Sequence, residues 1–223
     1  MDIAKIIENL ALMTPGFLLA LCVRYAGQAY VSKLFGDDTA ERDGRLSLNP
    51  AAHYDIMGTI VFPLVIVALM GSAPFGWGRN IPKDVRRYTD MKKGIFWTAF
   101  SGPLSNLLIM VASTFTFAVI QVFLPDTFGF KFQMLQMVKY SVLINVIFAV
   151  FHLIPFPPLD GAQMVSAFLN YEQARKFEQL ERYTFVFFMI LWMTNIFGII
   201  VQPVLLIGHL LINLFVGLLS YIG

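Results

Sequence analysis

Few residues in this chain could do chemistry, and the first to stand out is a carboxylate. Asp160 lies in the stretch Pro155-Phe156-Pro157-Pro158-Leu159-Asp160-Gly161, which closes the apolar run from Met137 to Ile154. Three prolines in four positions cannot continue a regular helix, because each lacks an N–H and fixes φ. Gly161 then allows a tight turn into the next segment. An acidic side chain at such a break, near bilayer depth, is costly to bury and marks a candidate functional site. The plainer reading makes Asp160 the cap of the helix that follows, a position Asp favours. A second polar group, Arg24, Tyr25 and Gln28, interrupts an otherwise apolar run. Positions 24 and 28 are one helical turn apart and share a face. An Arg within a membrane helix turns toward an anion or water rather than lipid. The three histidines are His53, His152 and His209. A lone His in an apolar run is most simply a buried side chain bonded to backbone. Cys22 is the single cysteine, which excludes an intrachain disulfide and a cysteine-based zinc cluster.

The elements that must position these groups are membrane segments. Of 223 residues, 57% are hydrophobic and 13% charged, and the mean hydropathy is +0.69. Soluble domains carry roughly a quarter charged residues, so the composition indicates an integral membrane protein, and the helix-length apolar segments along the chain give an all-α fold class. The net charge of +2 gives no bulk attraction for nucleic acid. Asp2, Lys5 and Glu8 in the first apolar stretch depart from a signal-peptide pattern.

Ile3 to Met13 reads as short and amphipathic. Thr14-Pro15 reads as a helix start, opening a membrane-length segment from Pro15 to Phe35. Gly36 to Pro50 is polar. Within it Gly44 to Pro50 alternates and reads as an ordinary loop or a short strand whose edge could accept an extended peptide. Ile56 to Phe75 is apolar but broken by Gly58, Pro63, Gly71 and Pro74, so it either spans or re-enters. Gly94 to Leu124 and Met137 to Ile154 are spans. Ala162 to Tyr183 is a charged amphipathic stretch in which Glu172, Glu178 and Glu181 alternate with Arg175, Lys176 and Arg182, as on a solvated helix face. Thr184 to Val201 and Pro203 to Ile222 complete five to six membrane segments in one polytopic domain, 1–223, ending in a hairpin over 184–222. If six segments cross, ten Lys and Arg fall on the N-terminal side and five on the other, with Arg24 inside a span. That bias places the basic loop 79–93 in the cytoplasm.

Several ordered motifs carry a resemblance. Ala29-Tyr30, Leu34-Phe35-Gly36-Asp37, Thr39-Ala40, Gly44 to Pro50, His53, Gly58-Thr59, Phe75-Gly76-Trp77, Gly102-Pro103-Leu104-Ser105-Asn106 and Pro155 to Gly161 together resemble the short site-2 protease family. Those proteins are intramembrane zinc metalloproteases, and the likeness spans about 15–183. It implies a prokaryotic cytoplasmic membrane and a helical core. It also implies a zinc ion held by two His of an H-E-x-x-H helix and by the Asp of the L-D-G motif, here Asp160. Aligned on Ala29-Tyr30, H-E-x-x-H falls on Arg24-Tyr25-Ala26-Gly27-Gln28. Arg24 and Gln28 replace the two His ligands, and Tyr25 replaces the Glu base. Zinc sites of this kind need two neutral imidazoles one turn apart and a carboxylate to take a proton from bound water. Arg stays protonated in proteins, and the Tyr hydroxyl has an unperturbed pKa of about 10. His152 stands where the family usually has an Asn that helps bind substrate.

Three readings follow. The first is a pseudoprotease that has lost zinc and proteolysis. It keeps a groove for transmembrane or juxtamembrane peptides, with Leu46, Ser47, Leu48, Asn106 and His152 as substrate contacts. A buried Arg24–Asp160 ion pair is expected where the metal would sit. For Asn106 a structural role stands beside the substrate role, since Gly102-Pro103 with Asn106 permits close helix contact. The second is an enzyme with a rewired zinc site built from His53, His152 and Asp160, with Tyr25 donating a hydrogen bond. The third is a small transport or channel component with Arg24 and Asp160 lining a polar path.

Overall fold

The structure is a computed structural model that describes residues 3–70 and 76–222. Gly71, Pro74 and Phe75, read above as breaks or motif residues, lie outside the described residues, as does Asp2. Every regular element among the described residues is helical. The order is α1 (Ile3–Leu34), α2 (Thr39–Arg42), a 3₁₀ turn (Pro50–Ala52), a π-helical turn (Ile56–Val61), α3 (Phe62–Met70), a second 3₁₀ turn (Val85–Arg87), α4 (Met91–Phe123), α5 (Lys131–Leu153), α6 (Asp160–Ser166), α7 (Tyr171–Glu178), a third 3₁₀ turn (Gln179–Tyr183), α8 (Thr184–Met193) and α9 (Ile196–Ser220).

Among the described residues, α1, α4, α5 and α9 are long and apolar enough to cross a membrane. The chain is an integral membrane protein. The π–α3 unit and α8 are shorter apolar helices.

α1, α4 and α5 pack on one another and form the bundle that holds the site, while α9 lies against α4 and α5. Met13, Phe17, Ala20, Leu21, Ile144 and Phe148 fill the centre between α1 and α5. Lipid supplies no hydrogen bonds, so polar side chains inside the bundle must satisfy one another. Asn106 of α4 donates to the Ala20 carbonyl oxygen of α1 at 3.0 Å and to Asn145 Oδ1 of α5 at 3.0 Å. Asn145 in turn donates to the Ser141 carbonyl oxygen at 2.8 Å. One amide therefore ties three helices together. The turn from α4 to α5 is closed by Lys131, whose ammonium donates to the carbonyl oxygens of Gln121 and Leu124 and pairs with Asp126. A cation there suits the negative end of α4.

Three boundaries differ from expectation. Thr14-Pro15 does not start a helix: α1 runs through it from Ile3, and Thr14 Oγ1 donates back to the Leu10 carbonyl oxygen at 2.6 Å. Membrane helices tolerate such prolines because neighbouring groups re-satisfy the backbone. The break expected near Pro203 falls instead at Asn195, whose φ of 54° turns the chain between α8 and α9. Asn is among the few residues that adopt this left-handed conformation readily. The amphipathic stretch 162–183 divides into α6, α7 and a 3₁₀ turn, with Asn170 and Gln173 forming a reciprocal capping box at the start of α7. Gly44 to Asn49 is an irregular loop leading into the 3₁₀ turn at Pro50, as the ordinary-loop reading has it, and forms no strand.

Candidate functional site at Arg24 and Asp160

The proline-rich turn does more than end α5. Phe156 N–H donates to the Ile154 carbonyl oxygen at 2.8 Å and Leu159 N–H to the Phe156 carbonyl oxygen at 3.0 Å, folding the chain back on itself. Gly161 is required there, since a Cβ would stand 2.3 Å from the Leu153 carbonyl oxygen. This turn starts α6 beside α4 and delivers Asp160 as its first residue. The N-cap is Leu159, so Asp160 is not the cap, and its carboxylate reaches across to α1.

There the expected ion pair is present. Arg24 Nη2 lies 2.6 Å from Asp160 Oδ2, with both side chains buried. Gln28 Nε2, one turn along the same face, donates to the same oxygen at 2.9 Å. The guanidinium meets the carboxylate end-on, and its Nε and Nη1 find no acceptor among the described residues. The helix face opposite is Gly102 of α4. A Cβ at that position would stand 2.7 Å from Gln28 Nε2 and 3.1 Å from both Arg24 Nη1 and Asp160 Oδ2. The glycine of Gly102-Pro103 thus makes room for the pair.

Tyr25 points elsewhere. Its hydroxyl donates to the Gly78 carbonyl oxygen at 2.9 Å and accepts from Gly78 N–H at 3.1 Å. Its ring stacks on His53, 5.7 Å between centroids and 18° from parallel. His53 Nε2 donates to the Ser47 carbonyl oxygen at 2.7 Å. Burial holds the His53 imidazole below its ordinary pKa, with the nearby Arg45 charge acting the same way against the Ser47 bond. His152 Nδ1 bonds the Phe148 carbonyl oxygen, one turn back on its own helix, at 2.9 Å. Among the described residues no three His, Cys, Asp or Glu side chains gather as metal ligands, so His53, His152 and Asp160 are not brought together as a set. His209 is exposed on α9.

Leu46, Ser47 and Leu48 line a cleft of about 350 Å³ together with Val23, Ala26, Gly27 and Tyr30 of α1 and Ser105 of α4. Asn106 lies inside the bundle with no exposure, its N–H groups given to Ala20 and Asn145.

Three residues have bonding roles that the sequence does not assign. Lys83, counted above only as a loop charge, donates to Gln163 Oε1 of α6 at 2.7 Å. Burial pushes its ammonium pKa down, while the Asp160 charge pulls the other way. Arg45 is buried and donates to the carbonyl oxygens of Ala52 and Asn80, joining three loop segments. Asp37, just past α1, has no exposure. Its carboxylate accepts from the Thr39 hydroxyl and N–H, from Asp84 N–H and from Ser32. Burial pushes the Asp37 carboxyl up, yet these bonds together hold it below the usual carboxylate range. In each case the signal would be a polar residue beside a turn, which sequence periodicity does not report.

The profile of Peptidase family M50 matches residues 29–194. The chain belongs to that family, the site-2 proteases. Its match begins just after the Arg24–Gln28 stretch and rests on the residues that follow. YwhC of Bacillus subtilis, provisionally named a zinc metalloprotease, is 31% identical over 202 residues, 88% of this chain and 89% of YwhC. Rip2 of Mycolicibacterium smegmatis, provisionally named likewise, is 26% identical over 184 residues, 82% of this chain and 67% of Rip2. No solved structure matches the chain.

Proposed function

We propose that this M50 chain keeps the family scaffold and a peptide cleft but does not carry out zinc-dependent proteolysis. The observation that supports this is the engagement of Asp160 Oδ2 by both Arg24 and Gln28. The residues at the family's ligand positions do not fit a zinc ion. A guanidinium keeps its proton and offers no lone pair, and its charge repels a second cation. Gln28 turns its amide N–H, not its oxygen, toward the carboxylate. Tyr25, at the position of the base, is committed to the Gly78 backbone.

In place of catalysis the chain holds an extended transmembrane or juxtamembrane segment. The cleft between α1 and residues 46–48 offers apolar walls and the exposed Leu48. A peptide unwound from a membrane helix needs partners for its freed backbone groups, and the loop 46–48 borders the cleft where it would seek them. The basic loop 79–93 faces the cytoplasm on this reading.

Metal content and peptide cleavage of the purified protein test the proposal. Neither stoichiometric zinc nor cleavage is expected. Stoichiometric zinc that disappears in His152→Ala would overturn it in favour of a rewired centre. The triple variant Arg24→His, Tyr25→Glu, Gln28→His is expected to bind one zinc and to cleave. Failure of that variant to take up metal, while folded, would mean that the scaffold has not been kept.

A further inference from the structure

We propose that α9 is a self-association surface through which two copies of this chain pair side by side in the membrane. One side of α9 is accounted for: Val201 packs against Met110, Val142 and Val146 of α4 and α5, and Gly208 approaches Val142. A different side carries Gln202, His209 and Asn213, all exposed. At 100° per residue these three fall within an arc of about 40°. Their spacings of seven and four are those of a seam between two helices. Among the described residues no hydrogen bond joins these side chains to the rest of the chain.

The helix has 25 residues, about 37 Å of length against a hydrocarbon core of about 30 Å. His209 lies near its midpoint and so near the bilayer midplane. Amide and imidazole groups facing lipid at that depth have no partner, and such groups turn to other helices. The chemistry favours a second copy. Copies of one chain insert with the same orientation, so a two-fold pair about the membrane normal sets the α9 helices parallel. Identical residues then meet at equal depth. Gln, Asn and neutral His each carry both a donor and an acceptor, so each can satisfy its own counterpart. Gly217, at the end of the stripe, has open space where a Cβ would stand, leaving room for close approach.

The test uses the full chain in proteoliposomes with its one cysteine removed by Cys22→Ser. Leu206→Cys lies beside the stripe, whereas Ile207→Cys and Leu214→Cys lie on the far side of the helix. Oxidation is expected to cross-link the first into a dimer and to leave the other two monomeric. Equal cross-linking at all three positions, or none at any, would overturn the proposal. Independently, the triple variant Gln202→Leu, His209→Leu, Asn213→Leu is expected to weaken dimerisation in lipid by about tenfold, the scale of a few interhelical hydrogen bonds. Dimerisation equal to that of the parent chain would also overturn it. A parent chain that is monomeric when purified would do the same, leaving the stripe to another membrane helix.

Discussion

Arg24 meets Asp160 through one carboxylate oxygen, and Gln28 bonds that same oxygen. A buried pair of this kind is weak as a source of net stability, because desolvation offsets most of the attraction. Breaking it is another matter, since the survivor is left charged and alone. Arg24→Leu is therefore expected to destabilise the protein by about 3–5 kcal/mol, and Arg24→Leu with Asp160→Leu to recover most of that loss. A double-mutant cycle on unfolding in detergent measures the difference; additive losses would contradict the coupling. This pair was legible in the sequence. A cation and an anion in apolar runs each require a partner, and the family motifs place both at one centre. Lys83 was not legible, because nothing in a loop of six basic residues distinguishes the one that turns inward to Gln163.

At the scale of elements, three helices meet at the pair: α1 brings Arg24 and Gln28, α6 brings Asp160, and α4 contributes the gap at Gly102. Gly102→Ala would drive a methyl group into all three polar side chains. A cost of about 1–3 kcal/mol is expected, typical of overpacking. It should shrink in Arg24→Leu, where one of the crowded groups is gone; an equal cost in both backgrounds would place the strain elsewhere. The apolar lengths of α4 and α5 were readable because hydropathy reports what faces lipid. Their neighbours were misjudged for one shared reason. Proline punctuates soluble helices, and Pro15 and Pro203 were read that way, but both lie inside membrane helices here. The true break, Asn195, depends on a backbone conformation that one polar residue does not announce.

Across the whole molecule, two buried groups outside the spans make stability depend on acid. Asp37 has a lowered pKa in the fold, so as pH falls below about 3.9 the unfolded chain takes up the proton first and stability is lost. His53 is also lowered, so the unfolded chain binds its proton first below about 6.5, and stability falls in the same direction. The Tm is expected to drop on acidification from pH 7 to 5 and to drop again below pH 4, the second step flattening in Asp37→Asn. A Tm that rises between pH 7 and 5 would contradict the His53 assignment. The segment 77–89, before α4, connects these groups to the site. Trp77 N–H bonds Gly58, Gly78 bonds Tyr25, Arg79 N–H bonds His53, Asp84 N–H bonds Asp37 and Thr89 N–H bonds Phe35. These five anchors lie in three stretches of the chain, within α1, just past its end and around the π-helical turn, so lifting the segment breaks contacts to all three together. An irregular loop held in this way does not open as a local fluctuation; it belongs to the same cooperative unit as the helices it crosses.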